Sequence, residues 1–272
     1  MNVSVLGCGR WGTFLAWYAN RVSHNVILWG RENSRNFIGL NQTRKNDYLS
    51  LPDGIELTRS LESALSFAEV IIISISAQEL RSFANRLSQY DEIQGKTFIL
   101  CMKGIESTTG KRLTQVFREE VGKNSNLAVW VGPGHVQDFV RNIPNCMVIG
   151  SEKIEVTKQI AKIFNSELIR FYYGQDLIGN EIGAATKNVM GIAAGMLDGL
   201  KYSSLKGSLM ARGTREISRL IRAMGGKALR ELSDQYEVEL PICKALFEII
   251  YEHKNAKDTL EELFLRPIKF EF

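Results

Sequence analysis

The sequence predicts an α/β protein, with a doubly wound, mostly parallel sheet over residues 1–175 and an all-helical domain over 176–272. Three observations carry this. A short β-branched run (Val3, Val5, Leu6) stops at Gly7 and passes at once into an apolar helical pattern. Apolar stretches suited to buried parallel strands then alternate with helical ones as far as Tyr172. From Asp176 onward no strand is convincing and the pattern is helical throughout.

Composition bounds the function classes. At 272 residues the chain suits two domains of roughly 100–200 residues each. With 44% apolar and 24% charged residues it reads as an ordinary globular protein. The net charge of +4 comes from dispersed Lys and Arg, which argues against a nucleic-acid arm and fits a small anionic ligand equally well. Cys8, Cys101, Cys146 and Cys243 are widely spaced and follow no metal pattern, so reduced thiols in the cytoplasm are expected. The first apolar run ends too early for a secretory signal, and no later run suits a membrane span.

The opening turn carries the first chemistry. Gly7, Gly9 and Gly12 stand at G-x-G-x-x-G spacing between strand and helix. The three do different things. Gly7 turns the chain sharply, Gly9 admits a pyrophosphate to the backbone, and Gly12 lets helix pack on strand. Free N–H groups at the helix start then face the phosphates. This is a dinucleotide site in a Rossmann-like fold. A helix over about Trp11–Val22 leads to a second strand, Asn25–Trp29, followed by Gly30-Arg31-Glu32. Arg31 favours the 2′-phosphate of NADP, while Glu32 leaves NAD open.

Further strands are expected at Val70–Ser76, Lys96–Met102, Leu127–Val131, Met147–Ile149 and Ile169–Tyr172, with helices near Gln78–Leu87 and Lys153–Phe164. Ligands in such sheets sit at the carboxyl ends of strands, where Gly7, Lys103 and Gly132 all fall. Helices are expected at about 176–198, 205–223, 227–236, 241–252 and 257–265.

Lys187 is the only charge between Ile182 and Leu197, a stretch whose glycines and alanines imply a buried helix. A buried lysine either loses its proton or takes an anionic partner, and Glu181 is one candidate. A neutral amine can accept a proton; a charged one can hold a phosphate or carboxylate. Asn188 beside it adds a donor and an acceptor. Arg212 opens a charged face on the next helix and reads as structural. His135, after a strand end, could be a ligand or an acid–base group, though as a lone histidine it carries little; His24 and His253 sit in surface-like contexts.

Together these residues resemble the bacterial NAD(P)-dependent sn-glycerol-3-phosphate dehydrogenases. The matching pieces are Gly7-Cys-Gly-Arg-Trp-Gly-Thr13, Leu28-Trp-Gly-Arg31, Asn46-Asp-Tyr-Leu49 with Leu51-Pro52, and Lys103-Gly-Ile-Glu106. They continue with Gly132-Pro133, the run from Asp176 to Asn188, Asp198-Gly199, Arg212-Gly213 and Pro241-Ile242. The resemblance implies reduction of dihydroxyacetone phosphate to sn-glycerol 3-phosphate by NADPH or NADH, a supply step for phospholipid synthesis, in a homodimer. It implies a coenzyme site lined by Arg10, Trp11, Arg31 and Val136, with Lys103 touching both coenzyme and substrate. Gly132 and Gly134 would bound the substrate pocket, and Lys187 would be the acid–base lysine.

The chain also departs from the family. After Met224-Gly225-Gly226 it runs directly into Lys227-Ala-Leu-Arg-Glu-Leu232. The family there carries a segment with Gly-Leu-Gly-Asp-Leu and Ser-Arg-Asn, which supplies a catalytic Asp and a phosphate clamp. The only Ser-Arg-Asn here, Ser34 to Asn36, follows the second strand. Ser203-Ser204 replaces the family's Gly-x-Asn, and Gly134-His135-Val136 its Ser-Phe-Ala. Two other readings therefore stand beside the first: a nucleotide-binding homologue with lost or altered activity, or a dehydrogenase for a different small anionic substrate.

Overall fold

The computed structural model describes residues 1–227 and the single positions 252, 254, 255, 258 and 262. Among these residues one eight-stranded sheet is formed by β1 (Asn2–Leu6), β2 (Asn25–Trp29), β3 (Ile55–Thr58), β4 (Val70–Ile73), β5 (Thr97–Leu100), β6 (Asn126–Val131), β7 (Asn145–Ser151) and β8 (Ile169–Gly174). Their order is β3-β2-β1-β4-β5-β6-β7-β8. All neighbours run parallel except β6 and β7, where Val129 faces Gly150 in antiparallel register. The chain moves outward from β1 to β3 and then crosses back to β4, so strand order reverses between β1 and β4. That reversal opens a crevice at the strand ends.

Successive β4 side chains point to opposite faces, and helices cover both. On one face Val70 and Ile72 join the helices α1 (Arg10–Arg21), α2 (Arg35–Thr43), α6 (Val136–Val140) and α7 (Ile154–Phe164). On the other, Ile71 and Ile73 meet α3 (Leu61–Phe67), α4 (Leu80–Leu87) and α5 (Leu113–Val121). Periodicity does not mark α2, β3, α3, α5 or α6, although Ser34 and Ser60 cap the starts of α2 and α3. They are four to nine residues long, too short for periodicity to register, and packing against the sheet stabilises them.

Two long helices follow, α8 (Leu177–Gly199) and α9 (Lys206–Ala223), close to their expected spans. The helices expected at 227–236, 241–252 and 257–265 fall in or run into the undescribed residues, as do Cys243, His253 and Pro241-Ile242. No helix among the described residues is long and apolar enough to cross a membrane.

The expectation of a buried α8 is corrected. Only Glu181, Ile182 and Ala184 are buried, whereas Val189 (57%), Ile192 (62%) and Met196 (63%) are largely exposed. A helix of 23 residues is about 34 Å long, so it runs well past the four-to-seven-residue strands it starts against. Nor does Glu181 pair with Lys187. Its carboxylate accepts from Thr114 N (2.9 Å), from Thr114 Oγ1 (2.7 Å) and from Arg112. This buried pair pins the first turns of α8 to the start of α5. Removing either charge alone would strand the other in the core, a loss of about 3–5 kcal/mol in comparable pairs.

Candidate active site

The turn after β1 is built as its spacing requires. Gly7 has a φ of +118°, and its N–H donates to Trp29 O at 3.0 Å. A Cβ at Gly7 would overlap the Ser74 carbonyl, and one at Gly12 the Gly7 carbonyl. A Cβ at Gly9 would meet nothing within 4 Å. Gly7 and Gly12 are thus demanded by packing, and Gly9 faces open space at the start of α1. No side chain caps that helix start, so its first N–H groups point into the crevice.

The crevice widens into a cleft of about 600 Å³ lined by Gly7, Gly9, Trp11, Arg31 and, from the β4 end, Ser74 and Ser76. Ser34 and Asn36 also line it. The motif's other members stand differently. Arg10 is turned outward, 4.3 Å over the Tyr48 ring and bonded to Gln137 Oε1. Val136, at the start of α6, is 1% exposed with its side chain in the core.

A second centre lies at the end of β6. Lys103 Nζ donates to the Gly132 carbonyl at 2.8 Å, and Lys187 Nζ, half-buried on α8, donates to the same oxygen at 3.3 Å. Desolvation, followed by the like charge of Lys187 beside it, pushes the Lys103 amine down to about 8. Two ammonium groups crowded on one carbonyl, with no carboxylate paired to either among the described residues, make a ready anion site. Lys187 and Gly132 also line a cavity of about 310 Å³ between β6, α8 and α9, shared with Asn180, Thr214, Ser218 and Lys227.

Gly134 is fixed by packing, since a Cβ there would overlap the Phe139 ring. Asn188, one residue past Lys187, is exposed and faces away from this cavity, because neighbouring helical residues diverge by about 100°. His135 is exposed and lines neither cavity. Sequence reasoning missed Asn180, whose Nδ2 is buried with no hydrogen-bond partner, and Thr214 and Ser218. Their one signal is helical spacing: Asn180 lies seven residues before Lys187, on the same helix face.

The model of the N-terminal domain of NAD-dependent glycerol-3-phosphate dehydrogenase matches residues 2–157, and the model of its C-terminal domain matches residues 176–230. The chain belongs to this family. It is similar to the glycerol-3-phosphate dehydrogenase [NAD(P)+] of Thermoanaerobacter sp. (strain X514), with 30% identity covering 100% of this chain and 99% of that protein. The enzyme of that name from Clostridium botulinum (strain Alaska E43 / Type E3) is likewise 30% identical, over 99% of both. In fold it resembles the glycerol-3-phosphate dehydrogenase crystal structure from Coxiella burnetii, at a TM-score of 0.76 and 22% identity, covering 97% of this chain and 99% of that one. The Thermoanaerobacter alignment spans 332 positions against the 272 residues of this chain, so about 60 positions of the family enzyme face a gap. The match to the C-terminal family model stops at residue 230, just after Gly226-Lys227.

Proposed function

We propose that this protein reduces dihydroxyacetone phosphate to sn-glycerol 3-phosphate with NAD(P)H. The observation that carries the reading is the pair of ammonium groups on the Gly132 carbonyl, at the strand ends beside the glycine-turn cleft. The cleft suits a dinucleotide, because Gly9 leaves its backbone open and uncapped N–H groups face inward. Gly7, Gly9, Gly12, Trp11 and Arg31 hold the coenzyme, with Arg10 and the Val136 backbone at its margin. A nicotinamide bound there supplies a hydride to the substrate's carbonyl carbon. Lys187 gives a proton to the carbonyl oxygen as negative charge develops on it, and its ammonium stabilises that charge. Lys103 holds positive charge against the substrate's phosphate, while Gly132 and Gly134 shape the pocket wall and Asn188 stands at its edge.

The gap of about 60 positions favours a second reading, a homologue that binds the nucleotide without turnover. One assay separates the two. NADPH absorbance is expected to fall when dihydroxyacetone phosphate is added to purified protein. Tight NADPH binding with no oxidation would establish the second reading instead.

We also read residues 1–175 as the coenzyme domain and 176–272 as the substrate and dimerisation domain, within a cytoplasmic enzyme that feeds phospholipid synthesis. Unbridged Cys8 and Cys101 support a reducing compartment. A homodimer is supported by the exposed apolar residues Val189, Ile192, Met196, Leu200 and Tyr202. Light scattering is expected to give twice the chain mass of 30.7 kDa, and a monomer at micromolar concentration would sink the idea.

A further inference from the structure

β2 and β3 end side by side, with Trp29 paired to Thr58. Arg31 and Arg59 therefore leave the sheet from adjacent strand ends. The Trp29 indole N–H donates to the Arg59 carbonyl at 3.0 Å, which fixes the start of the loop leading to α3. The same indole lies against Phe83 at 5.4 Å between ring centres and carries the Arg86 guanidinium 6.0 Å above it. The Arg59 guanidinium in turn sits 5.6 Å from the Phe37 ring. Three arginines from three segments of the chain are thus arranged around one tryptophan.

Arg31, Arg59 and Arg86 line an open hollow of about 750 Å³, together with Ser34, Ser60 and a single carboxylate, Glu32. Trp29, Arg31, Ser34 and Arg86 also line the glycine-turn cleft, so the two spaces are continuous. None of the three guanidiniums is ion-paired with a carboxylate of a described residue. An unmodified adenosine ribose would offer this hollow only two hydroxyls. Glu32 could accept hydrogen bonds from both, and the three cations of the hollow would still outnumber its one carboxylate. A phosphate on that ribose would meet them with planar, two-pronged donors suited to its oxygens.

We propose that this hollow binds the 2′-phosphate of NADP(H), with Arg59 and Arg86 acting beside Arg31 as coenzyme-specificity residues, so that the protein prefers NADPH over NADH. The proposal rests on the reading of the glycine-turn cleft as the coenzyme site. It extends that reading to two arginines outside the glycine motif.

Calorimetry on the full chain, without substrate, tests it. NADPH is expected to bind at least about tenfold tighter than NADH, and 2′,5′-ADP tighter than 5′-AMP, with both preferences shrinking as salt is raised. Arg59→Gln and Arg86→Gln are each expected to weaken NADPH by about five- to tenfold while leaving NADH within about twofold. Both side chains are exposed, so the thermal unfolding midpoint should not move. Arg86→Lys, which keeps the charge but not the fork, should recover part of the affinity. Equal or tighter binding of NADH, or equal weakening of both coenzymes by the substitutions, overturns the proposal. Loss of binding to both coenzymes in the unmodified protein overturns the cleft reading itself, and the NADH measurement tells the two failures apart.

Discussion

Replacing Lys187 by alanine is expected to lower kcat for dihydroxyacetone phosphate reduction by about a thousandfold or more, with NADPH affinity nearly unchanged. The substitution removes both the proton donor and the positive charge nearest the developing alkoxide. The coenzyme cleft is lined by other residues, so binding and turnover should separate. Stopped-flow turnover and fluorescence titration on the same preparation measure the two quantities. A kcat within tenfold of the unmodified enzyme would remove Lys187 from the chemistry. A pH profile adds an independent check on its neighbour. Lys103, held down to about 8, is protonated below that pH and neutral above it. Its grip on an anionic substrate is therefore lost as pH rises through about 8, and kcat/KM should fall on that limb. In Lys103→Arg the limb should disappear, because a guanidinium keeps its proton throughout. Folding stability runs the other way. The folded chain gives up this proton more readily than the unfolded chain, so this residue's contribution rises from about pH 8 toward the ordinary lysine range.

The second large effect comes from the glycine turn, and it differs between glycines. Gly12→Ala places a methyl group into the Gly7 carbonyl, which is backbone and cannot swing aside. The change is expected to cost about 3 kcal/mol of stability and to displace α1 from β1, abolishing NADPH binding as a consequence. Gly9→Ala adds its methyl to open space. Its stability should stay within about 0.5 kcal/mol, while NADPH affinity drops because the methyl occupies the path of the pyrophosphate. Urea unfolding and NADPH titration of both variants check this contrast. Equal stability losses in the two would mean that Gly9 is held by packing, contrary to its surroundings here.

These contrasts mark how far the sequence could be read. It identified the strand–turn–helix at Gly7–Gly12 because the alternatives are few: a β-branched run, three spaced glycines and an amphipathic stretch are local features. It placed Lys103 and Gly132 at strand ends for the same reason. It assigned separate roles to Gly7, Gly9 and Gly12 from spacing, but it could not name the Ser74 carbonyl that hems in Gly7, which lies more than sixty residues along the chain. It expected the apolar run after Ile182 to be buried, since glycine and alanine pack closely. The helix instead outruns the sheet, and only residues of its first turns are buried. It offered Glu181 as a partner for Lys187, yet the carboxylate faces Arg112 and Thr114, whose nearness no local spacing encodes.

By itself, then, the sequence determined the fold class, the coenzyme turn and the two lysines, because strand, turn and helix periodicities and strand-end positions are properties of neighbouring residues. The tertiary structure alone decided that both lysines converge on the Gly132 carbonyl, that the Val136 side chain is buried in the core while Asn188 lies outside the cavity lined by Lys187, and that Arg59 and Arg86 join Arg31 around Trp29. Those outcomes depend on which strand ends lie side by side. Parallel strands pair through crossovers of a dozen residues or more, so the contacts at their ends are set by the packing of the whole sheet.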